Sequence, residues 1–162
     1  SVYLPMAKMP FLWVDGSNDF AYPMDSLQKS YRALKVPYTL CVRLRMPHGH
    51  GAAGENPEEI RAFADHFAKG GPELPQIVEV TRTGRQVTVR FSPNERVVSY
   101  AELNVTSDRG VWKQRNWRAL TLETDSCTGE VKAEVPDDAT VYYVNLFTGD
   151  NLVVSTEHEE LP

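Results

Sequence analysis

Cysteine is scarce in this chain of 162 residues, which has only Cys41 and Cys127. They stand far apart, in segments of different character. Two are too few for a disulfide framework and they lack metal-ligand spacing, so both are read as free thiols. Long apolar runs are missing too. No stretch approaches the roughly 20 residues needed to span a bilayer, and the first residues have neither the basic start nor the apolar core of a signal peptide. A membrane span is therefore not expected. Basic charge is not in excess either: the net charge is −5, with eight basic and eight acidic side chains in residues 1–75 and nine and fourteen in residues 76–162. A protein that neutralises phosphates needs a Lys/Arg surplus on one face, so nucleic acid is not an expected partner. Internal repeats and low-complexity tracts are absent, and 41% apolar with 24% charged side chains is the balance of a globular chain.

What is present changes character along the chain. The first part alternates strand and helix signals. Phe11-Leu12-Trp13-Val14 is a short continuous apolar run ending at Asp15-Gly16-Ser17-Asn18-Asp19, as expected of a buried parallel strand that runs into a loop. From Pro23 onward Met24, Leu27, Tyr31 and Leu34 recur at three- and four-residue intervals, which predicts a helix of about three turns stopped by Pro37. Tyr38 to Met46 alternates as a strand near a sheet edge. Asn56-Pro57-Glu58-Glu59 then opens a second helix with a cap residue and proline at the first helical position, and Gly70 closes it. Gly70-Gly71-Pro72-Glu73-Leu74-Pro75 is expected to be a linker between domains at 1–71 and 72–162.

Beyond it only strands are predicted: Ile77–Thr81, Val87–Phe91, Val98–Val105, Ala119–Glu123, Glu130–Val135, Thr140–Phe147 and Leu152–Thr156. Thr83-Gly84, Asp108-Arg109-Gly110, Thr128-Gly129 and Gly149-Asp150-Asn151 are among the turn residues that separate them, as antiparallel hairpins require. Seven short strands in this span predict an immunoglobulin-like or fibronectin-III-like sandwich. Trp112, Trp117, Tyr142, Tyr143 and Phe147 could form a sugar-binding platform, but alternation along Tyr142–Phe147 favours packing between sheets. Glu157, Glu159 and Glu160 are expected to be a solvated charged end.

Chemistry concentrates at the ends of the first two strands. Asp19 follows one, and His48 and His50 follow the other. In open α/β sheets reacting groups gather at that edge, because neighbouring loops can converge there. The simpler readings are an aspartate that caps the next helix and two solvated histidines; a His-x-His pair without a third ligand is a weak metal signal, and no metal or other cofactor is expected.

Leu12-Trp13-Val14-Asp15-Gly16-Ser17-Asn18-Asp19-Phe20-Ala21-Tyr22-Pro23, Gln28-Lys29-Ser30-Tyr31, Met46-Pro47-His48-Gly49-His50-Gly51 and Glu58-Glu59-Ile60-Arg61-Ala62-Phe63-Ala64-Asp65 together resemble the closing part of an α/β-hydrolase. The branch resembled is that of acetyl xylan esterases and dienelactone hydrolases, of the kind fused to a C-terminal β-sandwich. The likeness covers residues 3–75 and, more loosely, the strands beyond. It implies an α/β catalytic portion in which Asp19 is the triad acid and His50 the general base, with His48 the alternative. His50 is preferred because the base of dienelactone-like enzymes follows an x-Gly pair, here His48-Gly49. No Gly-x-Ser-x-Gly elbow occurs in the chain, so the nucleophile is missing, and Ser17 is in the wrong loop to replace it.

The expectation is therefore a C-terminal fragment of a serine ester hydrolase acting on acylated polysaccharide or oligosaccharide. Its partner would be the missing N-terminal part of the hydrolase domain, it would be inactive alone, and the resemblance implies a secreted or periplasmic setting. The rival is a non-catalytic carbohydrate- or protein-binding sandwich in which the hydrolase-derived segment is scaffold. Arg43 and Arg45 are expected to pair with the acidic second half.

Overall fold

Strand β1 (Phe11–Gly16) carries the apolar run and lies parallel to β2 (Tyr38–Arg43), in a register from Phe11 opposite Tyr38 to Gly16 opposite Arg43. Both belong to a computed structural model that describes residues 2–46, 48–49, 57–92, 95–125 and 128–162. Helix α1 (Met24–Tyr31) joins them and buries Met24, Leu27 and Tyr31, the face set by its spacing. It stops short of Pro37, tightening into a turn in which the Leu34 N–H bonds the Tyr31 carbonyl at 3.1 Å. Helix α2 (Glu58–Lys69) follows Pro57 and ends at Gly70, whose φ of +69° suits glycine. The Gly71 N–H reaches back to the Asp65 carbonyl at 3.2 Å and closes that end. Asn56, the expected cap, lies outside the described residues.

The rest is antiparallel. One sheet has the order β3 (Ile77–Thr83), β4 (Gln86–Phe91), β7 (Glu130–Glu134). The other runs β10 (Glu159–Glu160), β8 (Val141–Thr148), β5 (Val98–Thr106), β6 (Arg118–Leu122), with β9 (Val153–Ser155) also on β8. Between them Val87, Val89, Val131, Leu103, Val105, Tyr142, Val144 and Leu146 form one apolar core, the interior of a β-sandwich. Every residue of β8 is buried. While Tyr142, Val144 and Leu146 face that core, Tyr143 packs with α1 and β2, and Phe147 packs with Cys41. The β8 sheet is thus the middle of three layers, and three apolar clusters draw on both sides of the Gly70–Pro75 stretch.

The α/β-hydrolase expectation is corrected here. Among the described residues the chain is predominantly β, with ten strands in three sheets, and only β1 and β2 run parallel. Among the described residues no α/β-hydrolase sheet is formed. On the β2 side the parallel sheet is closed at Val42. Its N–H donates to Ser155 Oγ at 2.8 Å, and its carbonyl accepts from Asn145 Nδ2 at 3.0 Å. Side chains from β9 and β8 occupy hydrogen-bonding positions that a third parallel strand would need.

Three smaller expectations also change. Strand β2 ends at Arg43 rather than Met46, because the chain turns through Arg45 at a φ of +54°. The acidic end is not simply solvated: Glu159 and Glu160 pair with β8, Glu159 bonds Arg82 and the Tyr142 hydroxyl, and Glu157 bonds Arg32 and Tyr38. Arg43 bonds Glu59 of α2 and the Asn151 carbonyl, and Arg45 bonds the Trp117 carbonyl, so neither pairs with an acid of the second half.

Candidate functional site

The parallel register puts the carboxyl ends of β1 and β2 side by side, so the loops after Gly16 and Arg43 leave from one edge. The Ser17 N–H donates to the Arg43 carbonyl at 3.1 Å, and the Arg45 N–H donates to Ser17 Oγ at 3.0 Å. The second loop folds directly over Gly16. A Cβ there would lie 2.0 Å from the Met46 carbonyl oxygen, so only glycine permits the approach. Both loops are also tied to the segment before β6: Asn18 Nδ2 donates to the Arg115 carbonyl at 2.8 Å, and Arg45 donates to Trp117.

This frame brings Asp19 and His48 together, with Asp19 Oδ2 2.7 Å from His48 Nδ1. The other carboxylate oxygen, Oδ1, accepts the Ala21 and Tyr22 N–H groups at 2.7 and 2.9 Å. Asp19 is buried, which disfavours its charge. The Tyr22 N–H, His48 and the Ala21 N–H outweigh that and hold its carboxyl below the ordinary 3.8. An ionised Asp19 accepting from Nδ1–H leaves basic function to Nε2, because the neutral imidazole then carries its lone pair there. His50, the base preferred from sequence, lies outside the described residues, as does Pro47.

Three residues of the site were not singled out from sequence. Phe20 and Tyr22 are 65% and 63% exposed, and their rings lie 4.8 and 5.8 Å from the His48 ring. Two solvent-facing aromatic residues beside an acidic loop were the available signal. Asp15 is the third, a second acid at the same strand end and only 4% exposed. Ser17 is buried and its hydroxyl donates to Asn18 Oδ1 at 3.0 Å while accepting from Arg45, so it is committed to the loop. Trp112, Trp117, Tyr142, Tyr143 and Phe147 are all buried and offer no flat binding face. Cys41 is a buried free thiol whose pKa burial pushes up, and Cys127 is outside the described residues. Among the described residues no three His, Cys, Asp or Glu side chains gather as metal ligands, and no helix is long and apolar enough to cross a membrane. No protein-family model matches the chain, and no curated protein matches it in sequence.

Proposed function

We propose that this chain supplies the acid and base of a serine-type ester hydrolase that removes acyl groups from carbohydrate, the attacking hydroxyl belonging to polypeptide outside the chain. The observation that carries the reading is the 2.7 Å contact between Asp19 Oδ2 and His48 Nδ1 at adjacent parallel strand ends. Asp19 fixes the tautomer and stabilises the imidazolium. His48 Nε2 takes the hydroxyl proton as the oxygen attacks the ester carbonyl, then returns it to the departing sugar oxygen. Water repeats the sequence to release the acid from the acyl-enzyme. The exposed Phe20 and Tyr22 rings give this edge apolar faces of the kind on which a pyranose ring stacks. The sandwich serves as support, since its 112–117 segment holds both loops. Its order, β3-β4-β7 against β6-β5-β8 with β9 and β10 beyond, is consistent with a fibronectin-III-like module of the immunoglobulin class.

The test is hydrolysis of p-nitrophenyl acetate and acetylated xylan by a polypeptide that joins this chain to its nucleophile. His48→Ala is expected to lower kcat by about three to four orders of magnitude, with Asp19→Asn also strongly impaired. Full turnover in His48→Ala with loss in His50→Ala would transfer the base role to His50. Full turnover in both would end the esterase reading.

A further inference from the structure

Asp15 is the last side chain of β1, since Gly16 ends the strand, and it is almost wholly shielded from water. One carboxyl oxygen, Oδ1, accepts the Gly16 N–H at 2.7 Å. The other, Oδ2, is buried and meets no hydrogen-bond donor among the described residues. An ionised oxygen in that position would be desolvated without compensation, a cost that protonation removes. The turn after β1, closed by the Asp19 N–H on the Gly16 carbonyl at 3.0 Å, brings the Asp19 carboxyl, itself an acceptor, near enough to raise Asp15 by its charge. Asp19 has room for one more donor. A carboxylate offers about four lone-pair sites, and Asp19 uses three of its own on Ala21, Tyr22 and His48.

We propose that Asp15 is a positioning residue behind the Asp19–His48 pair: a buried neutral carboxylic acid whose O–H donates to Asp19 and holds it ionised and oriented toward His48. The inference rests on that pair being the working site. The surroundings favour it. Among the described residues no cation opposes the neutral form: Arg43 of β2 is engaged by Glu59 of α2 and the Asn151 carbonyl, Arg45 by the Trp117 carbonyl, and Arg115 by the Gly110 carbonyl and the Trp112 ring. Asp19 and, through it, His48 are the titratable groups in line with Asp15. Burial pushes the Asp15 carboxyl up to about 7; the Gly16 N–H opposes this, and the Asp19 charge and hydrogen bond add to it.

Carboxyl 13C NMR of the full chain tests this without any need for turnover. At pH 5.5 the Asp15 carbon is expected at the position of a protonated acid while the Asp19 carbon is that of a carboxylate. An ionised Asp15 at that pH overturns the proposal. Asp15→Asn keeps a donor and is expected to leave the Asp19 transition in its low position, whereas Asp15→Leu removes the donor and is expected to raise it by about one pH unit. An Asp19 transition unmoved in a folded Asp15→Leu also overturns the proposal, and if that variant does not fold, the wild-type spectrum decides. A neutral Asp15 in a protein whose parent shows no ester hydrolysis would defeat only the esterase reading.

Discussion

Gly16 shows how much one residue can decide. Its missing side chain lets the Met46 carbonyl cross the end of β1, and this crossing sets the path toward His48. Gly16→Ala is expected to cost about 3 kcal/mol through overpacking and to displace His48 from Asp19. Urea denaturation would measure the first effect, and the His48 Nδ1–H resonance the second. Two buried titratable groups pull stability in opposite directions with pH. Burial, with Arg32 adding, lowers His158 from 6.5 to about 4, Glu157 and Asp25 acting against the shift. The unfolded chain therefore takes up this proton first, so its contribution is whole above pH 6.5 and is lost as pH falls toward 4, a loss of about 3 kcal/mol. Asp15 is raised from 3.8 to about 7, so here the folded chain holds its proton longer. Its contribution is whole below pH 4 and declines as pH rises to 7. Denaturation midpoints across pH 4–8 are expected to lose the acid-side drop in His158→Phe and to gain stability with rising pH in Asp15→Asn, each relative to the parent. A parent-like profile in either variant would refute the corresponding assignment.

Among the elements, β2 depends most on groups distant in sequence. Asn145 donates to the Val42 carbonyl, while Ser155 Oγ accepts the Val42 N–H and donates to Asn145 Oδ1 at 2.6 Å. Asn145→Ala is expected to destabilise by about 1–3 kcal/mol, because a buried carbonyl loses its donor. Asn145→Asp should be at least as harmful, since it sets an acceptor against that carbonyl; thermal melts of the pair check this. Glu59 of α2 plays a similar part. Fully buried, it bonds Arg43 and accepts the Val153 N–H at 2.8 Å, linking the helix to β2 and β9. Glu59→Ala strands the Arg43 charge and the Val153 N–H, so a loss of about 3–5 kcal/mol is expected in the same melts, with Glu59→Gln milder. Neither Asn145 nor Glu59 could be recognised as a tie beforehand. A polar residue inside an apolar strand, or an acid in the first turn of a helix, has local explanations that exhaust its sequence context.

For the molecule as a whole, the decisive feature is that the β8 sheet is covered on both faces. A segment of 72–162 produced alone would uncover Tyr143, Phe147 and Val153, which pack against α1, β2 and Cys41 in the intact chain. It is expected to bind an environment-sensitive apolar dye and to melt well below the intact protein; equal melting temperatures would show that the first layer adds no support. The Gly/Pro-rich stretch at Gly70–Pro75 does mark where helices give way to antiparallel strands, yet the apolar clusters cross it.

Sequence alone determined what depends on near neighbours. Apolar spacing built α1, alternation and turn residues marked the strands of the sandwich, and the order of strand, acid, helix, strand and histidine placed Asp19 and His48 at one edge. Tertiary structure decided that His48 reaches the acid, that Asp15 is sealed from water at the same strand end, and that β2 stops a parallel sheet instead of extending one. The last of these turns on backbone groups and side chains more than a hundred residues apart competing for the same hydrogen-bonding positions. No local periodicity records that competition, because it is settled only when the layers come together.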